Sequence, residues 1–109
     1  MKIVFDDIKE SVAGNFKGGE KSFASRAFSD EKNKMMKGRL VPGASIGLHR
    51  HEGNCEMIYV LEGCGKMIYD GGEERLSAGD FHYCPEGHEH SFINDGDCDL
   101  VFIAVVPAQ

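Results

Sequence analysis

The chain has no run of basic residues, no C-x-x-C pair and no apolar stretch approaching the ~18 residues that a membrane-spanning helix needs. Each absence removes a class of function. Twelve Lys and Arg against eighteen Asp and Glu leave a formal charge of −6, and the cations are scattered singly. Such a charge pattern argues against binding a phosphate backbone or an anionic membrane surface, so neither nucleic acid nor membrane is an expected partner. The four cysteines, Cys55, Cys64, Cys84 and Cys98, are spaced neither as a zinc ribbon nor as a thioredoxin-type redox motif. In a reducing compartment they act as small apolar residues. The opening "MKIVFDDIKE" has too short an apolar stretch for a secretory leader, so a cytoplasmic location is expected. Repeats, low-complexity tracts and interdomain linkers are also missing. The expectation is one domain over residues 1–109 with one core.

What is there is rhythm. From residue 39 onward Gly, Pro, Asn or Asp interrupts the chain at short intervals, between runs rich in Val, Ile, Tyr and Phe. That pattern belongs to all-β sandwiches and barrels. "YDGGEE", residues 69–74, sets Asp-Gly-Gly between two strand-like runs, as a hairpin connection requires. Residues 1–38 are less regular and read as a strand-rich arm. Within them "SDEKNKMMK", residues 29–37, suits either a short helix capped by Ser29 or a polar loop leading into a strand. The run "MIYVL", residues 57–61, is apolar at every position, so both faces of that strand are expected to be covered. If Glu56, Ile58 and Val60 face a barrel interior, then Met57, Tyr59 and Leu61 need a cover outside it. A homodimer contact together with the N-terminal arm would supply one.

Chemistry concentrates in "HRHEGNCE", residues 49–56. Side chains two apart point the same way only on an extended strand, so His49 and His51 share a face. Gly53-Asn54 can reverse the chain, after which Glu56 opens the next strand and returns towards the two imidazoles. Two imidazoles and a carboxylate converging on one point suit a divalent metal, which needs at least one further ligand. "GDFHYCPEGHEHSFIN", residues 79–94, offers candidates: a strand ends at Pro85, Glu86-Gly87 turns, and His90 begins another extended stretch.

Together these two segments resemble the cupin family. The first family motif, Gly, five residues, His-x-His, three or four residues, Glu, six residues, Gly, is met over residues 43–63 by Gly43, His49, His51, Glu56 and Gly63. The second, Gly, five residues, Pro-x-Gly, two residues, His, three residues, Asn, is met over residues 79–94 by Gly79, Pro85, Gly87, His90 and Asn94. At usages of roughly 5% per residue type, ten specified positions coincide by chance in about one in 10¹³ placements. The resemblance implies a double-stranded β-helix, the jelly-roll barrel, over residues 39–109, with a metal near its open end and a dimeric assembly.

It also implies that His49, His51, Glu56 and His90 are the metal ligands. Three imidazoles and one carboxylate suit Fe, Mn, Ni, Cu or Zn better than Mg or Ca. Cysteine dioxygenases of this family carry Cys where Glu56 stands, so the glutamate argues against that branch. Cys55 precedes Glu56 and points to the opposite face. His88 belongs to the rim. His82 could turn into the pocket as a proton shuttle, and the outward orientation is the favoured expectation. A hydroxyl from Tyr69 or Tyr83 could serve as acid or base. Ile58, Val60, Met67, Tyr69, Phe81, Phe92 and Phe102 are the candidate barrel wall. The resulting expectation is a metal-dependent enzyme acting on a small organic molecule, of dioxygenase, isomerase or lyase type. The alternative is a non-catalytic module that binds or senses a carbohydrate or metabolite.

Overall fold

A computed structural model describes all 109 residues. Ten strands carry the chain: β1 (Ser11–Gly14), β2 (Ser22–Ser29), β3 (Asn33–Leu40), β4 (Ser45–Arg50), β5 (Glu56–Glu62), β6 (Cys64–Tyr69), β7 (Gly72–Ser77), β8 (Phe81–Cys84), β9 (Glu89–Ile93) and β10 (Leu100–Pro107). They form two antiparallel sheets, one ordered β1-β2-β3-β10-β5-β8 and the other β4-β9-β6-β7. The sheets close face to face into a jelly-roll barrel.

Period-two alternation builds the interior. On β10, Leu100, Phe102 and Ala104 point inward; their neighbours on β3 and β5, among them Met36, Leu40, Ile58 and Val60, do the same. The opposing sheet contributes Ile46, Met67, Leu76 and Phe92. At the centre the Phe102 ring lies 5.2 Å from Phe92 and 5.9 Å from Phe23, so the two sheets meet through aromatic contact. Asn94 is fully buried at the far end. Its amide nitrogen donates to the Leu40 and Cys98 carbonyls at 2.7 and 2.9 Å, and its oxygen accepts from the Gly96 N–H at 3.0 Å, which ties three segments together.

The N-terminal residues depart from expectation in three ways. Residues 29–37 form no helix: Asp30 accepts from the backbone N–H groups of Lys32 and Asn33, making a tight turn between β2 and β3. The expected border between residues 38 and 39 falls inside β3, which pairs with β10 along its whole length. The first residues do not cross the outer face of β5 either. Asp6 and Glu10 instead bind Lys37 and Arg39 on the outer face of β3, and Arg26 donates to the Ile8 carbonyl. Met57 is therefore half-buried, and Tyr59 and Leu61 stay exposed.

Candidate functional site

At the open end of the barrel four side chains converge. His49 lies on β4, His51 just beyond it, Glu56 starts β5, and His90 sits on β9 opposite His49. Glu56, His51 and His90 are buried and His49 is half-buried. One ligand atom from each of the four lies within 4.8 Å of all the others. Glu56 Oε1 stands 3.1 Å from His51 Nε2 and 3.0 Å from His90 Nε2, and the two nitrogens are 3.0 Å apart.

The far ring nitrogens determine what these atoms can do. His49 Nδ1 lies 2.7 Å from the Gly47 carbonyl, which only accepts, so Nδ1 carries the proton. His51 Nδ1 donates to Asn54 Oδ1 at 2.7 Å. His82 Nδ1 donates to Glu74 Oε1 at 2.6 Å, which leaves its Nε2 to accept from His90 Nδ1 at 3.0 Å. In all three neutral ligand candidates Nε2 is thus the bare nitrogen. Lone pairs from His51, His90 and Glu56 then face one another at about 3 Å with no proton among them. Such a cluster is stable only around a positive charge. The group could hold a metal ion, and the donor set of nitrogens and one carboxylate fits a divalent transition metal.

The same electrostatics shift the pKa values. Burial pushes Glu56 up, but once a proton enters the metal-free cluster, hydrogen bonding and charge from His51 and His90 outweigh it and hold the carboxyl at about 2. The hydrogen bond to Glu56 raises His51, against burial, so in metal-free protein the cluster attracts a proton as its cation. Burial lowers His49 and His82, which keeps both neutral.

Outside the cluster the mouth opens into a cavity of about 340 Å³ lined by Phe16, Lys17, Lys34, Met36, Glu52 and Val106 together with His49, His51 and Glu56. Lys34, Met36 and Val106 arrive there because they share the inward face at the paired ends of β3 and β10. Lys17 comes from a short 3₁₀ turn, Phe16–Gly18, that lies against β4. Glycine is required at that contact: a Cβ on Gly47 would stand 2.0 Å from the Lys17 carbonyl oxygen.

The remaining candidates divide. His82 turns inward, against the expected outward orientation; it is 3% exposed, because Glu74 and His90 satisfy both its nitrogens. Tyr83 and Phe81 point outward on β8, 51% and 61% exposed, so neither belongs to the site or the wall. Tyr69 packs its ring edge-on to His82 at 5.4 Å and sets its hydroxyl 3.3 Å from His88 at the rim, away from the cavity. Cys55 is buried beside the cluster, its N–H donating to the Pro107 carbonyl. Sequence reasoning missed Asn54, Glu74, Lys17 and Lys34. Only Asn54, three residues after His51, carried a local signal.

A closed jelly-roll whose inner strands present three imidazoles and a carboxylate at one end defines a small barrel protein with a possible metal centre. A family model described as "Cupin domain" matches residues 36–106, and the chain belongs to the cupin family. It is 31% identical over 112 residues to a Thermotoga maritima protein named "Oxalate-binding protein", with 97% of this chain and 93% of that one covered. Among solved structures it is similar to one described as a predicted oxalate decarboxylase from the same organism, with a TM-score of 0.94, 30% identity and full coverage of both chains. A polyketide cyclase from Streptomyces resistomycificus shares the fold, with a TM-score of 0.82, 22% identity and coverage of 100% of this chain and 80% of the other.

Proposed function

We propose that His49, His51, Glu56 and His90 hold one divalent transition metal, and that a small dicarboxylate anion of the oxalate class binds there through the mouth cavity. The observation that carries this reading is the set of three unprotonated acceptor atoms at about 3 Å from one another, backed by second partners that fix each tautomer. The metal supplies a Lewis acid for carboxylate oxygens. The chain does the rest. Lys17 and Lys34 place ammonium charge around the cavity, and the charge of Lys17 is felt at His51. Phe16, Met36 and Val106 form an apolar side that limits water and leaves room for a ligand of a few heavy atoms. The names of the Thermotoga relatives support the same ligand class.

Turnover of that anion is the second reading. Loss of CO₂ from a dicarboxylate leaves a carbanion that must be protonated, and the ammonium group of Lys34, a proton donor, lines the same cavity. Within this reading, lyase chemistry is the reaction type. Calorimetric titration of oxalate and of acetate into manganese-loaded and chelator-treated protein separates the cases. Tight oxalate binding only with metal, weakened roughly tenfold in each of Lys17→Gln and Lys34→Gln, supports the proposal. Equal affinity with and without metal would overturn it. Release of formate by the loaded protein establishes turnover.

A homodimer is also inferred. Tyr59, Leu61, Phe81 and Tyr83 form an exposed apolar and aromatic face where β5 meets the edge strand β8, with the Tyr59 and Phe81 rings 6.4 Å apart. Sedimentation should give a dimer that Phe81→Asp dissociates; a monomeric wild type would exclude it.

A further inference from the structure

We infer that His82, anchored by Glu74, is a positioning residue that fixes the tautomer and ring orientation of His90 and so sets the metal affinity of the site. The inference rests on the metal reading above. Its geometry is a three-member chain in which each link has one polarity. Glu74 Oε1 can only accept, so His82 Nδ1 donates to it at 2.6 Å. His82 Nε2 is left as an acceptor, and His90 Nδ1 donates to it at 3.0 Å. His90 Nε2 is then bare and aimed at His51 Nε2 and Glu56 Oε1.

The chain crosses a seam between the two sheets, which share no backbone ladder. Glu74 stands on β7, the edge of the four-stranded sheet, and His82 on β8, the edge of the six-stranded sheet. Glu74 is 45% exposed in its side chain, whereas His82 is nearly sealed, so the carboxylate reaches inward from the rim. The His82 and His90 rings lie 24° from coplanar with centroids 5.2 Å apart, as their in-plane hydrogen bond requires, and Tyr69 meets the His82 ring edge-on, which stops it from turning.

The test uses metal-free protein first. Nitrogen-15 correlation spectra of wild type should show His90 as the Nδ1–H tautomer; an Nε2–H tautomer overturns the inference. Zinc(II) affinity is then measured by competition with a chromophoric chelator. His82→Leu keeps bulk and loses the acceptor, so affinity should fall roughly 10- to 100-fold while the circular dichroism spectrum is retained. His82→Gln, whose amide oxygen can accept from His90 Nδ1, should recover most of that loss, which a packing role would not predict. A folded His82→Leu variant with wild-type affinity refutes the inference. If that variant does not fold, Glu74→Leu at the rim carries the same test, with a smaller loss expected and no loss counting against it. Wild type that takes up no zinc refutes the metal reading, and the role in metal affinity with it, whatever the His90 tautomer.

Discussion

Replacing Glu56 by Gln tests how strongly the cluster depends on one negative charge. The carboxyl is 8% exposed and held by His51 and His90 at 3.1 and 3.0 Å. Its pKa of about 2 in the folded chain, against an ordinary 4.5, favours the ionised form by about 3 kcal/mol at about 1.36 kcal/mol per pH unit. A depressed acid contributes stability that is complete above its unfolded pKa and disappears as pH falls through its folded one. Gln has the shape of the protonated acid and none of the charge. Metal-free Glu56→Gln should therefore be less stable by about 3 kcal/mol at pH 7, a fall of roughly 10 to 15 °C in Tm for a domain of this size. At pH 3 the wild-type carboxyl has surrendered part of its advantage, and the gap should shrink to about 1.5 kcal/mol. Urea unfolding of chelator-treated protein at both pH values reads both numbers. Equal stability at pH 7, or a gap of the same size at pH 3, would refute the electrostatic account of the cluster.

Three further outcomes are expected. Metal-free protein should be most stable near pH 6.5, the ordinary histidine value: raised His51 loses its contribution as pH climbs above it, and lowered His49 and His82 cost stability as pH falls below it. Zinc should abolish the decline on the alkaline side, and an optimum above pH 8 without metal would contradict the assignment. Phe102→Ala should cost about 3 to 5 kcal/mol in denaturant unfolding, since the ring is 1% exposed between Phe92 and Phe23. Gly47→Ala drives a methyl group into the Lys17 carbonyl and should cost about 1 to 3 kcal/mol. Because the Lys17 turn must move, oxalate affinity measured by calorimetry should fall more than zinc affinity.

The four convergent residues were legible because their information is local. Spacing of two on a strand fixes a shared face for His49 and His51, one turn brings Glu56 back, and His90 falls in a second motif of the same kind. Facing within β8 was not legible. Hydrophobicity alone favours Phe81 inside and His82 outside, yet the alternation is the reverse. His82 goes inward because Glu74 and His90, on strands of the other sheet, satisfy it, and no feature next to His82 in sequence announces them. Lys34 was hidden for a similar reason. It lies in a segment whose adjacent Met35 and Met36 have no clear period, and pairing with β10 decides that it faces the mouth. The apolar run of β5 suggested a cover by the N-terminal residues, but these are occupied by Lys37 and Arg39 on β3, and Tyr59 and Leu61 stay exposed.

The most direct measurement of the central claim is elemental analysis of protein purified without a metal-affinity tag and then offered manganese, iron, nickel, copper and zinc in turn before desalting. Close to one transition metal per chain in wild type, and little in His90→Ala, is the result that the cluster of His49, His51, Glu56 and His90 requires. A folded wild-type chain that retains none of these metals would contradict it.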